Sequence, residues 1–145
     1  MIQYITRGGS LMETSRNSLH EKAMILIYDA LTFQNMGQDY DIQQIMVDLL
    51  EVPYEEIDVF LKEVTIKALI HQQEIIDDLQ KNMKKWKFSR LNRLMQAILL
   101  LSVAHSRYVQ DSEKNVIIDV AVKLSKRYLD DGDYKFVNAI LDVTL

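Results

Sequence analysis

The side chains best suited to catalysis are few and scattered. His20, His71 and His105 stand far apart and show neither the His-x3-His nor the HExxH spacing that sets two imidazoles on one helical face around a metal. The chain has no cysteine, which removes thiolate nucleophiles, thiolate metal sites and disulfides together. Asp77-Asp78 and Asp130-Asp131 are adjacent pairs. Neighbours in sequence point to different faces of a helix or sit in a turn, so neither pair is held as an acid/base couple. Gly8-Gly9 is followed by Ser10-Leu11 rather than by Lys and Ser or Thr, so no phosphate loop forms there. The reading is a non-enzyme with no metal and no cofactor.

Phosphate recognition is the chemistry the chain does offer. Its net charge is −4, which argues against a dedicated nucleic-acid binder, but the charge is unevenly spread. Eleven acidic and two basic residues lie between Asp39 and Gln80, whereas Lys81 to Gln110 holds seven basic residues and no acidic one. The basic stretch includes Lys81-Asn82-Met83-Lys84-Lys85-Trp86-Lys87-Phe88. It is either an RNA-facing ridge with Trp86 as a stacking platform or the electrostatic complement of the acidic segment. In the second case Trp86 packs between helices, and Arg90 and Arg93 pair with the Asp39–Gln80 region or cap carbonyls.

The elements that carry these residues are helical. One proline and four glycines in 145 residues leave few breakers, and the length suits one domain. No apolar run approaches the roughly 18 residues of a membrane span, and with no secretory segment the expected location is the cytoplasm. Leu19, Ala23, Leu26, Ile27, Ala30 and Leu31 share a helical stripe, which predicts a first helix over about residues 16–34. Ser18 and Glu21 have the spacing of a capping box. Asp41 is expected to cap a second helix, and Pro53 to open a third segment that breaks near Ile70 to Gln73. Further helices are expected at about 89–108, 113–129 and 133–143, the last with Asp133 as N-cap.

Residues 1–12 do not fit. Met1 to Leu11 has no helical stripe, and Arg7-Gly8-Gly9 can be encoded by a purine-rich ribosome-binding sequence just upstream of Met12. Residues 1–12 are therefore read as a leader, non-native or flexible, with Met12 the expected start, and residues 13–145 as a single helical domain.

Three ordered blocks carry a family resemblance. They are Ser89-Arg90-Leu91-Asn92-Arg93 leading into Ala97-Ile98-Leu99, then Val116-Ile117-Ile118-Asp119-Val120-Ala121-Val122-Lys123-Leu124-Ser125-Lys126-Arg127-Tyr128, then Lys135-Phe136-Val137-Asn138-Ala139-Ile140-Leu141-Asp142. In this order they resemble the C-terminal half of the NusB transcription antitermination factors. The resemblance implies an all-α fold of about seven helices in two packed helical bundles. It also implies a non-catalytic protein that pairs with NusE, a small-subunit ribosomal protein, on boxA-type RNA of ribosomal RNA operons, in an antitermination complex with RNA polymerase.

The family's RNA contact begins with an arginine-rich start of helix one, R-R-x-A-R-E-x-A. The matching stretch here is Arg16-Asn17-Ser18-Leu19-His20-Glu21-Lys22-Ala23, in which Arg16 is kept and His20 stands at an arginine position. Arg16, His20 and Lys22 are the phosphate-contact candidates carried over. Lys135 would meet phosphate at the N-terminal end of the last helix, and Phe136 either stacks on an unpaired base or packs in the core with Ile140 and Val143. In the fifth helix, positions often acidic, Arg, Tyr and Glu in the family are Met95, Leu100, Ala104 and His105. The resemblance places these on the partner-binding surface, which would be greasier than usual. The alternative function is a NusB-fold protein-interaction module, or a homodimer, without RNA affinity.

Overall fold

The computed structural model describes residues 15–145; the leader reading lies outside them. Among the described residues there are seven α-helices. They are α1 (Arg16–Asn35), α2 (Ile42–Leu50), α3 (Val59–Ile70), α4 (Gln72–Lys81), α5 (Arg93–Ala104), α6 (Lys114–Tyr128) and α7 (Asp133–Thr144). Two 3-10 turns, Tyr54–Glu56 and Phe88–Arg90, precede α3 and α5, and a π turn, His105–Val109, continues α5. The all-α architecture and helix number are those expected. No helix among the described residues is long and apolar enough to cross a membrane.

Helix α5 is the axis. Asn92 caps it by accepting hydrogen bonds from the Leu94 and Met95 amides at 2.8 and 3.4 Å, which satisfies amides left without a helical partner. Every residue from Met95 to Ala104 is buried. A helix apolar on all sides must be surrounded. Here α1 and α3 pack on it from one side, α6 and α7 from the other, and α4 closes against it. Ser102 and Gln96 are the polar exceptions, and the Ser102 hydroxyl donates to the Ile98 carbonyl at 2.8 Å; Gln96 reaches outside the helix. Its side-chain amide donates to the Phe88 and Leu91 carbonyls at 3.1 and 3.0 Å, locking the turn that leads into the helix.

This arrangement overturns the partner-surface expectation. Met95 is 6% exposed, His105 1%, and Leu100 and Ala104 not at all. Apolar residues replacing charged ones at these positions enlarge the core rather than a surface patch.

Several boundaries also move. Ser15, not Ser18, caps α1, its hydroxyl accepting from the Ser18 amide at 3.4 Å. Pro53 leads only into the 3-10 turn; α3 begins at Val59, where the Asp58 carboxylate accepts from the Leu61 amide at 3.2 Å. The break after Ile70 is at His71, as the spacing predicts. Gly132, not Asp133, is the cap of α7. It sits at φ +90°, where a side chain is strained, and Asp133 turns back to accept from the Asp130 amide at 3.2 Å.

The π turn brings α4 against the end of α5. Arg107 donates to Asp78 at 2.6 Å, the Tyr108 hydroxyl donates to Glu74 at 2.9 Å, and the His71 ring stacks on Tyr108 at 3.9 Å. Hydrogen bonds from Arg107 and then Lys81 hold the Asp78 carboxyl below its ordinary value. Acidic and basic segments therefore do meet at Asp78, which takes Arg107 and Lys81 from the two ends of the basic stretch. Arg93 turns instead to Thr32 on α1, donating to its hydroxyl at 3.1 Å. Leu99 lies at the centre of the packing with no exposed surface. Leu99→Ala is expected to lower unfolding free energy by about 2–5 kcal/mol, measured by urea denaturation. A loss under about 1 kcal/mol would contradict the central place given to α5.

Candidate nucleic-acid interface

The first two turns of α1 hold three of the sequence-derived candidates, and the structure separates them. Arg16 stays half-exposed, with its guanidinium 4.0 Å above the Phe60 ring and 2.8 Å from one Asp111 oxygen. Lys22 is half-buried one turn further on. His20 is only 3% exposed and cannot present its ring to a phosphate. The reason is helical geometry: position 20 follows Leu19 and precedes Ala23 and Met24 on the side that faces α3 and α5.

His20 instead joins a buried polar chain. Its Nδ1 lies 2.7 Å from the Arg16 carbonyl oxygen, its Nε2 3.2 Å from His105 Nδ1, and His105 Nε2 2.6 Å from Asp111. Phe60 of α3 walls the chain, its centroid 5.2 Å from His20 and 5.1 Å from His105. A carbonyl and a carboxylate close the two ends, and both can only accept. His20 Nδ1 and His105 Nε2 each face an acceptor and carry the hydrogen of that contact. Burial lowers the His20 pKa to about 4, outweighing the hydrogen bond to the Arg16 carbonyl that raises it. At Asp111 burial acts upward, but hydrogen bonds from Arg16, His105 and Ser112 outweigh it and hold the carboxyl at about 2.

The start of α7 is the second candidate region. Lys135 is exposed there, and Phe136 is half-buried, its ring set edge-on to Trp86 with centroids 6.2 Å apart. Trp86 is 58% exposed, so the expectation that it packs between helices fails; Met83 and Phe88 on either side of it are the residues that go in.

The end of α6 joins the two regions, and it is the part that reasoning from the sequence missed. Arg127 lies 3.0 Å from Glu21 of α1, and the Tyr128 hydroxyl donates to the same carboxylate. One residue earlier, Lys126 stands 4.6 Å over the Tyr134 ring at the start of α7. Arg127 through Glu21, and Lys126 through Tyr134, thus tie the end of α6 to the starts of α1 and α7, where Arg16 and Lys135 are exposed and where Glu21, Asp111 and Asp133 also lie. The signal was present: Lys126-Arg127 falls in the second resemblance block, but nothing in the sequence says that the end of α6 touches the start of α1.

The chain matches the model of the NusB family over residues 19–144. It is 33% identical over 133 residues to the transcription antitermination protein NusB of Finegoldia magna, covering 90% of this chain and 93% of that protein. Against the protein of the same name from Treponema denticola it is 32% identical over 129 residues, covering 83% and 91%. Among solved structures, NusB of T. maritima superposes with TM-score 0.69 at 26% identity, covering 86% of this chain and 89% of that one. The fold is also that of a structure of the antitermination factors NusB and NusE in complex with dsRNA, with TM-score 0.72 at 21% identity and coverage of 99% and 97%.

The buried chain sets a pH dependence. Below 6.5 the unfolded chain takes a proton on His20 that the folded protein refuses until about pH 4, so stability is expected to fall as pH drops through that interval, by up to about 3 kcal/mol. Asp111 adds a further loss from 3.8 down to about 2. Urea denaturation between pH 7.5 and 4.5 measures the first loss, and His20→Gln should flatten it. An unchanged slope in that variant would contradict the His20 assignment.

Proposed function

The chain belongs to the NusB family, and from that membership we propose that it is a transcription antitermination factor that binds boxA-type RNA of ribosomal RNA operons together with NusE. The proposed RNA track runs from Arg16 over Arg127 and Lys126 to Lys135 and Phe136. Its cations neutralise phosphates and release counterions on binding. Phe136 offers a ring edge to an unpaired base. On this reading the protein joins the polymerase-bound antitermination complex in the cytoplasm and performs no catalysis.

The observation that supports this reading is the meeting of the end of α6 with the starts of α1 and α7, through Arg127 with Glu21 and Lys126 with Tyr134. An apolar patch around Leu100 and Ala104 would have favoured the competing protein-only module or homodimer, and both residues are wholly buried. The NusE partner is supported by the relatives' shared family, and a protein of this fold has been solved with NusE and RNA.

Fluorescence anisotropy of a labelled boxA-like RNA, with and without the host's NusE and at several salt concentrations, tests the proposal. Salt-sensitive binding strengthened by NusE is expected. Lys126 and Lys135 are exposed, and replacing both by Ala should reduce the slope of log K against log salt by about 1.4, for two phosphates of a single strand. A slope identical to that of the native protein would remove these lysines from the interface, and no binding in either condition would sink the RNA reading.

A further inference from the structure

The linker between α4 and α5 has features that the track above does not use. It carries Lys84, Lys85, Trp86 and Lys87, all exposed, and no carboxylate among the described residues pairs with its three lysines. An exposed loop of this composition is ordinarily loose, yet this one is fastened at four points. The Gln80 side-chain amide donates to the Met83 and Trp86 carbonyls at 3.1 and 2.8 Å, and its oxygen accepts from the Phe88 amide at 2.9 Å. Asn82 donates to the Thr144 hydroxyl at 3.0 Å. Met83 and Phe88 are each 3% exposed and anchor the flanks in the core.

These ties give the loop a direction. Asn82 meets α7 at Thr144, its last residue, and Trp86 meets it at Phe136, near its first. The loop therefore runs back along α7 for about 12 Å, the rise of eight helical residues. It delivers Trp86 to the same end of α7 that carries Lys135. An indole 58% exposed, held on a fixed backbone and set among cations, is poorly suited to an apolar protein partner, which would have to desolvate the lysines. A polyanion with flat, unpaired bases fits both features: its phosphates take the ammonium groups and a base takes the indole face. Bases inside a duplex remain stacked on each other and do not offer that face.

We propose that this loop and the first turn of α7 form a single-strand-specific extension of the RNA site, in which an unpaired base stacks against the Trp86–Phe136 edge while Lys84, Lys85 and Lys87 hold the adjoining phosphates. The extension rests on the RNA reading and lengthens its track beyond Lys135. It selects single-stranded RNA leaving the α7 end, whereas the cations on the α1 side serve any phosphate backbone.

Trp86 is the chain's one tryptophan, so its intrinsic emission reports this contact alone. A short unstructured A/U-rich RNA is titrated into the full protein, with Trp86 emission followed on unlabelled RNA and anisotropy on a fluorescein-labelled copy; a duplex of the same length serves as comparison. The strand is expected to quench Trp86 in step with the anisotropy rise, and the duplex to leave its emission unchanged. Trp86→Ala should weaken strand binding roughly five- to a hundredfold, and Trp86→Phe should recover most of it. Circular dichroism and thermal melting, expected to match the native protein because the indole is exposed, show that the variants fold. Binding by anisotropy without quenching, and with Trp86→Ala as tight as native, would overturn the extension and leave the RNA reading standing. Equal quenching by the duplex would also overturn it. No anisotropy change with any RNA would overturn both.

Discussion

Ten consecutive buried residues in α5, Met95 to Ala104, are the constraint on which the rest of the molecule depends. An apolar helix with no solvent face needs neighbours all round, and no single bundle supplies them. Helices α1 and α3 cover one side, α6 and α7 the other, with α4 completing the ring. The two-bundle architecture follows from this need. So does the functional surface: with α5 in the interior, the outward chemistry falls to the ends of α1, α6 and α7 and to the α4–α5 loop.

The interior is not wholly apolar, and its polar part links the same elements. His20, His105 and Asp111 form a hydrogen-bonded chain that begins at the Arg16 carbonyl. A buried polar group without partners costs far more than the net gain of a hydrogen bond, so the three side chains define one another's positions. The two ring nitrogens lie 3.2 Å apart, and Asp111 at the far end of the chain also holds Arg16.

Periodicity made the helices legible, because a stripe such as Leu19, Ala23, Leu26 and Ile27 reports a buried face directly. Caps were less legible. Ser18 and Asp133 are good capping residues by type, but Ser15 and Gly132 hold the backbone angles that end each helix. Surface and core were most often confused where residue type and position disagree. Trp86 reads as core by size, yet the loop closes through Met83 and Phe88 and leaves it outside. His20 reads as a polar helix start, yet it lies on the stripe. Lys126 and Arg127 went unread as part of the candidate interface because their place beside Glu21 and Tyr134 is set by contacts between distant parts of the chain.

The polar contacts of α1 reach far along the chain. His20 meets His105 across 85 positions, Arg16 meets Asp111 across 95, and Glu21 meets Tyr128 across 107. On the ribosome, helix α1 emerges first and its partners last. At about 5–20 residues per second, the start of α1 waits roughly five to twenty seconds before Asp111 and Tyr128 exist. During that wait His20 is solvated and α1 has half its apolar stripe uncovered, a state in which helix formation alone is marginal. The N-terminal half is thus the first to be made and among the last to be finished, and premature release of the chain would leave its most apolar surfaces without the segments that cover them.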